Sequence, residues 1–425
     1  MPAEPRRRFP VLAYPAFVRL WIADAVSSLG LFVVNLGMQF LMIHHLGADQ
    51  ADIGIVRSAQ WLPTLIFGLL AGVWLDRMRR RPVLVAADTL AAVVLGTIAG
   101  LAFTDLLTVP VLAALVFVLG FTTMFFRAAQ QSYLPALVPT RVLPRAWARI
   151  EQTMTAAESV GPILAGALIR VTSAPVAIVV AAATHAASAL LLAGIRRPET
   201  APEAAGRRHL ITDLREGASW VYRHRTLAPY AIGLHLWFFF NSLVMTLYVF
   251  YANQDLGLDS FAVGLTLGFA GVTGVVGAGL APWAGMRFGI GRVCVFSDWL
   301  SPLAYLVVLL APAGPMAVVV LSAAFALHGV GMGLKGPLEG SYRNTVTAAR
   351  LRGRMNATIR TFNWGMLAFS APLAGFLAVW WGNRTTIALA IGGLVVAACV
   401  VTFSPFRTAR MPDDDEAAPA VAPPP

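Results

Sequence analysis

Apolar residues run through this chain in blocks of about 20, separated by short polar or glycine- and proline-bearing breaks. A block of that length spans the hydrocarbon core of a bilayer as an α-helix. Twelve such spans can be placed, at 17–43, 53–75, 82–103, 109–134, 147–171, 174–194, 227–252, 259–286, 291–311, 315–341, 356–380 and 384–405. The alternation of about ten residues expected for β-barrel strands is absent from them. The one long connection, 195–226, contains Leu210, Leu214, Trp220 and Val221 on one helical face, which predicts an amphipathic helix lying at the membrane interface. The final stretch, Pro412 to Pro425, is acidic and then rich in Ala and Pro, a composition expected to stay disordered.

Composition makes lipid the natural solvent. Of 425 residues, 58% are hydrophobic and 12% charged, against about a quarter charged in soluble domains. Mean hydropathy is +0.70. The net charge of +11 is no nucleic-acid surface, because the arginines that carry it cluster between apolar blocks. Loops after even-numbered spans, with both ends and the turns bordering them, hold 27 of the 32 basic residues. The opposite loops hold only Arg170 and Arg384, while Arg57, Arg127 and Lys335 lie within spans. The positive-inside bias therefore predicts cytoplasmic termini and a cytoplasmic 195–226 connection. Cys294 and Cys399 sit in apolar segments and form neither a disulfide framework nor a metal cluster. The start, with Arg6, Arg7 and Arg8, lacks the features of a cleaved signal peptide, so the first span is expected to remain as an anchor.

Three sets of local matches recur at an offset of 209 or 210. Ser132-Tyr133 parallels Ser341-Tyr342, Pro162 with Gly166 parallels Pro372 with Gly375, and Trp74 with Asp88 parallels Trp283 with Asp298. This shared offset predicts two six-helix halves in parallel repetition, the plan of transporters whose site lies between halves. The expected domains are an N-terminal segment 1–16, a first half 17–194, a linker 195–226, a second half 227–405 and a tail 406–425.

The loop after the second span reads Gly72-Val73-Trp74-Leu75-Asp76-Arg77-Met78-Arg79-Arg80-Arg81-Pro82. Glycine, three residues, Asp-Arg and a basic cluster at this place resemble the loop motif of the major facilitator superfamily. Leu134-Pro135-Ala136-Leu137-Val138-Pro139, Asp213-Leu214-Arg215-Glu216-Gly217 and Leu351-Arg352-Gly353-Arg354 are similar to the branch containing enterobactin exporters and macrolide efflux proteins. Gly161-Pro162 with Gly166 resembles a fifth-helix antiporter motif. The resemblance covers residues 14–406. It implies an all-α integral membrane protein of twelve transmembrane helices, with Gly72, Asp76, Arg77, Arg80 and Arg81 at a cytoplasmic gate. It departs in two places: Leu31 follows Ser27-Ser28-Leu29-Gly30 where relatives often carry an acid, and Gly285 stands in the second-half counterpart of Asp76.

Ionisable groups inside a membrane are expensive and usually face a partner or a cavity. Asp24, Asn35 and Gln39 form a polar stripe on the first span, with Asp24 placed to substitute for the missing acid. Glu158, in the middle of the fifth span, is a second candidate for proton coupling, because a buried carboxyl can hold and release a proton. Arg127 is the natural counterion for either. Lys335 and Glu339, four apart, are expected to pair on one helix face. Arg57 is expected to snorkel outward, and Asp88 and Asp298 to support the gates. Trp237, Phe240 and Asn241 could line an aromatic substrate cavity or instead face lipid.

These residues lead to a secondary active transporter, a proton-coupled exporter of small lipophilic or siderophore-like molecules working by alternating access. An uptake permease or facilitator of the same fold is the nearest alternative. The sequence has no Gly-x-x-x-x-Gly-Lys-Ser/Thr loop for ATP-driven pumping. A lipid-modifying enzyme would need a nucleophile–base or metal set, and the seven histidines are scattered. A non-transporting receptor explains no repeat. The expected partners are membrane lipids, a small-molecule substrate and protons, with no nucleic acid, cofactor or metal. A monomer in the bacterial cytoplasmic membrane is the expected setting.

Overall fold

The computed structural model describes residues 10–76, 78–197, 199 and 210–411. They form thirteen α-helices and, among the described residues, no strand: α1 (Pro15–His44), α2 (Gln50–Asp76), α3 (Arg80–Phe103), α4 (Val109–Leu137), α5 (Leu143–Val171), α6 (Ala174–Ala193), α7 (Leu210–Arg223), α8 (Leu227–Phe250), α9 (Ser260–Phe288), α10 (Ile290–Leu309), α11 (Pro315–Val346), α12 (Arg352–Trp381) and α13 (Asn383–Thr402). Among the described residues, eleven helical segments are long and apolar enough to cross a membrane. The 27-residue α2 has the length of a twelfth, and α7 is the short connecting helix. The disorder expected for the tail falls on residues outside those described.

Helices extend beyond the apolar blocks at several ends. α11 continues to Val346 and α12 begins at Arg352, whereas hydropathy marks 315–341 and 356–380. Hydropathy sees only the lipid-facing length, while backbone hydrogen bonding carries the helix on through Arg343, Asn344 and Arg354. The nearly continuous apolar run around Arg384 is divided by Gly382. At φ 82° it closes α12 and opens α13, a conformation that favours a residue without Cβ. Between α5 and α6, Ser173 accepts a hydrogen bond from the Val176 amide at 3.4 Å and caps the second helix.

Two compact units result, residues 1–208 with 259–268, and residues 209–258 with 269–425. In the first, α1 packs on α5 and α6, α3 on α4 and α6, and α2 on α4. In the second, α8 packs on α12 and α13, and α10 on α11 and α13. α9 meets α11 through glycines: a Cβ at Gly277 or Gly333 would strike the facing backbone of Val330 or Gly274. The same set of pairings thus occurs twice, in helices of corresponding order, along a chain whose local matches repeat near offset 209.

α7 does not lie free on a membrane surface with all of its apolar face exposed. Val221 is buried with Tyr230, Met355 and Ile359. Trp220 Nε1 donates to Thr347 Oγ1 at 3.2 Å, and Glu216 pairs with Arg350 at 2.8 Å and with Arg354. Periodicity identified the apolar face and α12 supplies its cover. The side chains of Leu210 and Leu214 are outside the described set. His224 then accepts from the Thr226 and Leu227 amides, both at 3.3 Å, at the start of α8. Burial pushes its imidazole below the usual pKa, which suits a neutral acceptor nitrogen.

Gly161, Pro162 and Gly166 act in packing. A Cβ at Gly161 would press on the Phe32 ring at 2.7 Å, and one at Gly166 would overlap the Ser260 carbonyl. Gly166→Leu should therefore cost about 1–3 kcal/mol of stability through overpacking. Gly100→Leu, with open space around the added carbon, should be near neutral. Thermal unfolding of the two purified variants checks this, and equal midpoints would remove the packing role.

Candidate functional site

The polar groups of the first unit gather around one apolar interior. Asp24, on α1, is fully buried. Its Oδ1 accepts from Gln130 Nε2 at 2.6 Å and from Arg127 Nη1 at 3.4 Å, both on α4. Arg127 also contacts Gln130 Oε1 at 3.4 Å and Met154 Sδ at 3.5 Å. The other carboxylate oxygen, Oδ2, is buried without a hydrogen-bond partner. Arg127 thus takes Asp24 rather than Glu158. Glu158 lies on α5 at the surface of the first unit.

A second acid stands nearby in the same unit. Asp88 on α3 is buried, and its Oδ1 lies 2.9 Å from His185 Nδ1 on α6. Asp88 Oδ2, like that of Asp24, has no hydrogen-bond partner. Ser27, Ser28, Asp88, Arg127 and His185 line a cavity of about 30 Å³. A neighbouring cavity of about 60 Å³ shares Leu31, Ala91, Thr122, Thr123 and His185 with it, and adds Asn35, Gln39, Arg57 and Gln60. The stripe of Asp24, Asn35 and Gln39 therefore spans two environments, with Asp24 in the ion-pair cluster and the two amides on the larger cavity. Gln60 Nε2 donates to Asn35 Oδ1 at 3.4 Å. Arg57 faces this cavity instead of serving only as an outward snorkel.

His185 and Gln130 escaped the sequence reading. Neither belongs to a motif, and a lone histidine in the apolar α6 carries no local sign of its partner 97 positions away. The available clue was a pair of polar groups within apolar spans, Asp88 and a histidine, each in need of a hydrogen-bond partner.

The second unit places its charges differently from the local expectation. Lys335 pairs with Asp298 on α10 at 2.5 Å, not with Glu339. Glu339 instead accepts from the Tyr230 hydroxyl and lies 3.6 Å from Arg343. The lysine ammonium sits 5.6 Å from the Tyr230 ring centre and 5.4 Å from that of Trp237. Helix spacing permits the Lys335–Glu339 pair, but the buried Asp298 needs the cation more. Trp237 is buried in this unit, donating from Nε1 to Ser301 Oγ at 3.1 Å and stacking on His328. Phe240 packs on Gly393, and Asn241 accepts from Tyr305 at 2.5 Å. These contacts pack all three against helices of their own unit, and neither cavity above includes them.

Of the loop motif, Arg77 lies outside the described residues, as do the side chains of Gly72 and Asp76. The backbone amides of Arg80 and Arg81 donate to the Glu199 carboxylate at 2.6 and 2.7 Å. An anion at the start of α3 is favoured by the free amides and helix dipole there. The Arg81 side chain donates to Leu192 O at 3.3 Å and to Ala193 O, tying α3 to the end of α6. No group of three or more metal-ligating side chains occurs among the described residues.

The match to known proteins agrees with this arrangement. The family model of the Major Facilitator Superfamily matches residues 20–364. The chain is 25% identical over 254 residues to the MFS-type transporter YkuC of Bacillus subtilis (strain 168), an alignment covering 58% of each protein. It is 24% identical over 155 residues to macrolide efflux protein A of Streptococcus pyogenes, covering 36% of this chain and 38% of that protein. These matched stretches thus span less than two thirds of the curated relatives. In fold, the chain resembles the nucleoside transporter NupG, with TM-score 0.73 at 16% identity over 91% of this chain and 98% of that one. It also resembles a bacterial homolog of the human lysosomal transporter Spinster, with TM-score 0.74 at 13% identity over 97% and 99%. With the basic loop motif, the twice-used helix pairing and a family match across most of its length, the chain belongs to the Major Facilitator Superfamily.

Proposed function

We propose that this protein is a secondary active transporter, a proton-coupled exporter that exchanges protons for small lipophilic or siderophore-like molecules by alternating access. The observation carrying the proposal is the Asp24–Gln130–Arg127 cluster: a buried carboxylate with one oxygen held by two donors and the other unpartnered. A proton arriving at Oδ2 neutralises the acid and loosens its hold on Arg127, which alters the joint between α1 and α4. Charge at one buried site is thereby linked to helix arrangement, the requirement for a ligand-driven population shift. Similarity to a macrolide efflux protein supports export and a lipophilic cargo.

Vesicles containing purified protein and an acidic lumen should accumulate erythromycin or 2,3-dihydroxybenzoate above protein-free vesicles, and an uncoupler should abolish the excess. Equal uptake with and without the gradient would replace antiport by facilitation. Accumulation requiring an acidic exterior would replace it by symport.

The same proposal places the protein in the bacterial cytoplasmic membrane as a monomer, with both termini and the 195–226 connection facing the cytoplasm. Cysteines introduced at Ser219 and Asp105, both exposed, should react with an impermeant maleimide from inside and outside respectively. Reaction of both from one side would refute that topology.

A further inference from the structure

Arg57 is an intramembrane cation with no acid beside it in the cavity it faces. Asp24 is taken by Arg127 and Gln130, and Asp88 by His185. No carboxylate lines the cavity of about 60 Å³ that Arg57 faces, and no described residue forms an ion pair with it. Arg57 Nε and Gln39 Oε1 are both buried without a hydrogen-bond partner. Unpaired charge in so apolar a setting is costly, and nothing in the helix pairing described above requires an arginine there. The remainder of the lining is mainly Leu, Val, Met and Ile, with the amides of Asn35, Gln39 and Gln60 beside the guanidinium. A fork of donors, adjacent amides and apolar walls match an organic anion: the guanidinium takes the acid group in two parallel hydrogen bonds, and the walls take the carbon that bears it.

We infer that this cavity, lined by residues of the first unit, is a binding subsite for the carboxylate-bearing end of an organic acid, with Arg57 as its counterion. A space of about 60 Å³, well below the ~150 Å³ of a cavity that holds benzene, takes the acid group, and its open mouth leaves the ring or chain behind that group outside. This deepens the transporter reading and rests on it for the statement that the bound acid is cargo. Binding at the site is a separate question that needs no transport. Anionic lipid headgroups share the recognition chemistry, and the test separates them from a free acid.

The experiment compares three molecules of nearly the same shape, benzoate, benzamide and benzylamine. Their binding to the full-length protein in phosphatidylcholine nanodiscs is followed by titration calorimetry. Benzoate should bind at least tenfold more tightly than benzamide, and benzylamine more weakly than either. Arg57→Gln should erase the preference for the anion, and Arg57→Lys should keep most of it. If Arg57→Gln fails to fold, the ligand ranking on the wild type and on Arg57→Lys decides alone. Equal binding of benzoate and benzamide, a preference that survives Arg57→Gln, or no binding of benzoate overturns the inference. Benzoate binding that vanishes in nanodiscs containing phosphatidylglycerol would assign the site to lipid and overturn the organic-acid reading. Failure of gradient-driven uptake beside an intact benzoate preference would count against the exporter proposal and leave the subsite standing.

Discussion

Lys335→Met should destabilise the protein by about 3–5 kcal/mol, the scale for removing one partner of a buried ion pair. The lysine is the only described ion-pair partner of Asp298, which is 4% exposed, and its ammonium also lies over the rings of Tyr230 and Trp237. Methionine preserves much of the volume and removes the charge, so the loss reads out the stranded carboxylate. Lys335→Met combined with Asp298→Asn should recover most of the lost stability, because a neutral pair leaves no uncompensated charge. The midpoint of thermal unfolding in detergent measures both. A single variant as stable as wild type, or a double variant no better than the single one, would show that the pair is not what secures α10 to α11.

Asp24→Asn should reduce gradient-driven accumulation to the level of protein-free vesicles while leaving exchange of substrate across equal concentrations. Asparagine keeps the shape and an acceptor oxygen for Gln130 but cannot bind and release a proton. Exchange at equal gradients needs the conformational cycle and no net proton movement, so it should persist. The exposed position of Glu158, away from both cavities, makes Glu158→Gln the informative partner, and it should retain coupled transport. If Asp24→Asn concentrates substrate as well as wild type, this acid is not the coupling site. If only Glu158→Gln loses coupling, the role moves to α5.

The two acids also mark the limit of what local sequence can say about a site. Both were visible as costly charges in apolar spans, and nothing in their immediate neighbours ranked one above the other. Their partners differ, since α4 brings Gln130 and Arg127 to Asp24. The aromatic run on α8 carries a similar ambiguity. Trp237, Phe240 and Asn241 read as a cavity wall or as lipid-facing residues, yet their contacts are with Ser301, Gly393 and Tyr305 inside their own unit. An apolar side chain scores alike for lipid, core and ligand, so composition could not separate the three.

The chain's amino-acid sequence by itself determined the helical membrane class, the span positions, the alternation of basic loops and the twofold use of one six-helix plan. Those properties depend on transfer of each segment into lipid and on charge beside it, quantities summed over neighbours along the chain. Tertiary structure alone decided the partners. Asp24 meets Gln130 across 106 positions, Asp88 meets His185 across 97, and Lys335 leaves an available neighbour for Asp298 across 37. It also decided that Arg57 would have a cavity and no acid beside it. Electrostatic pairing in a low-dielectric interior depends on distance in space and on competition among all groups within reach, and helix packing sets both.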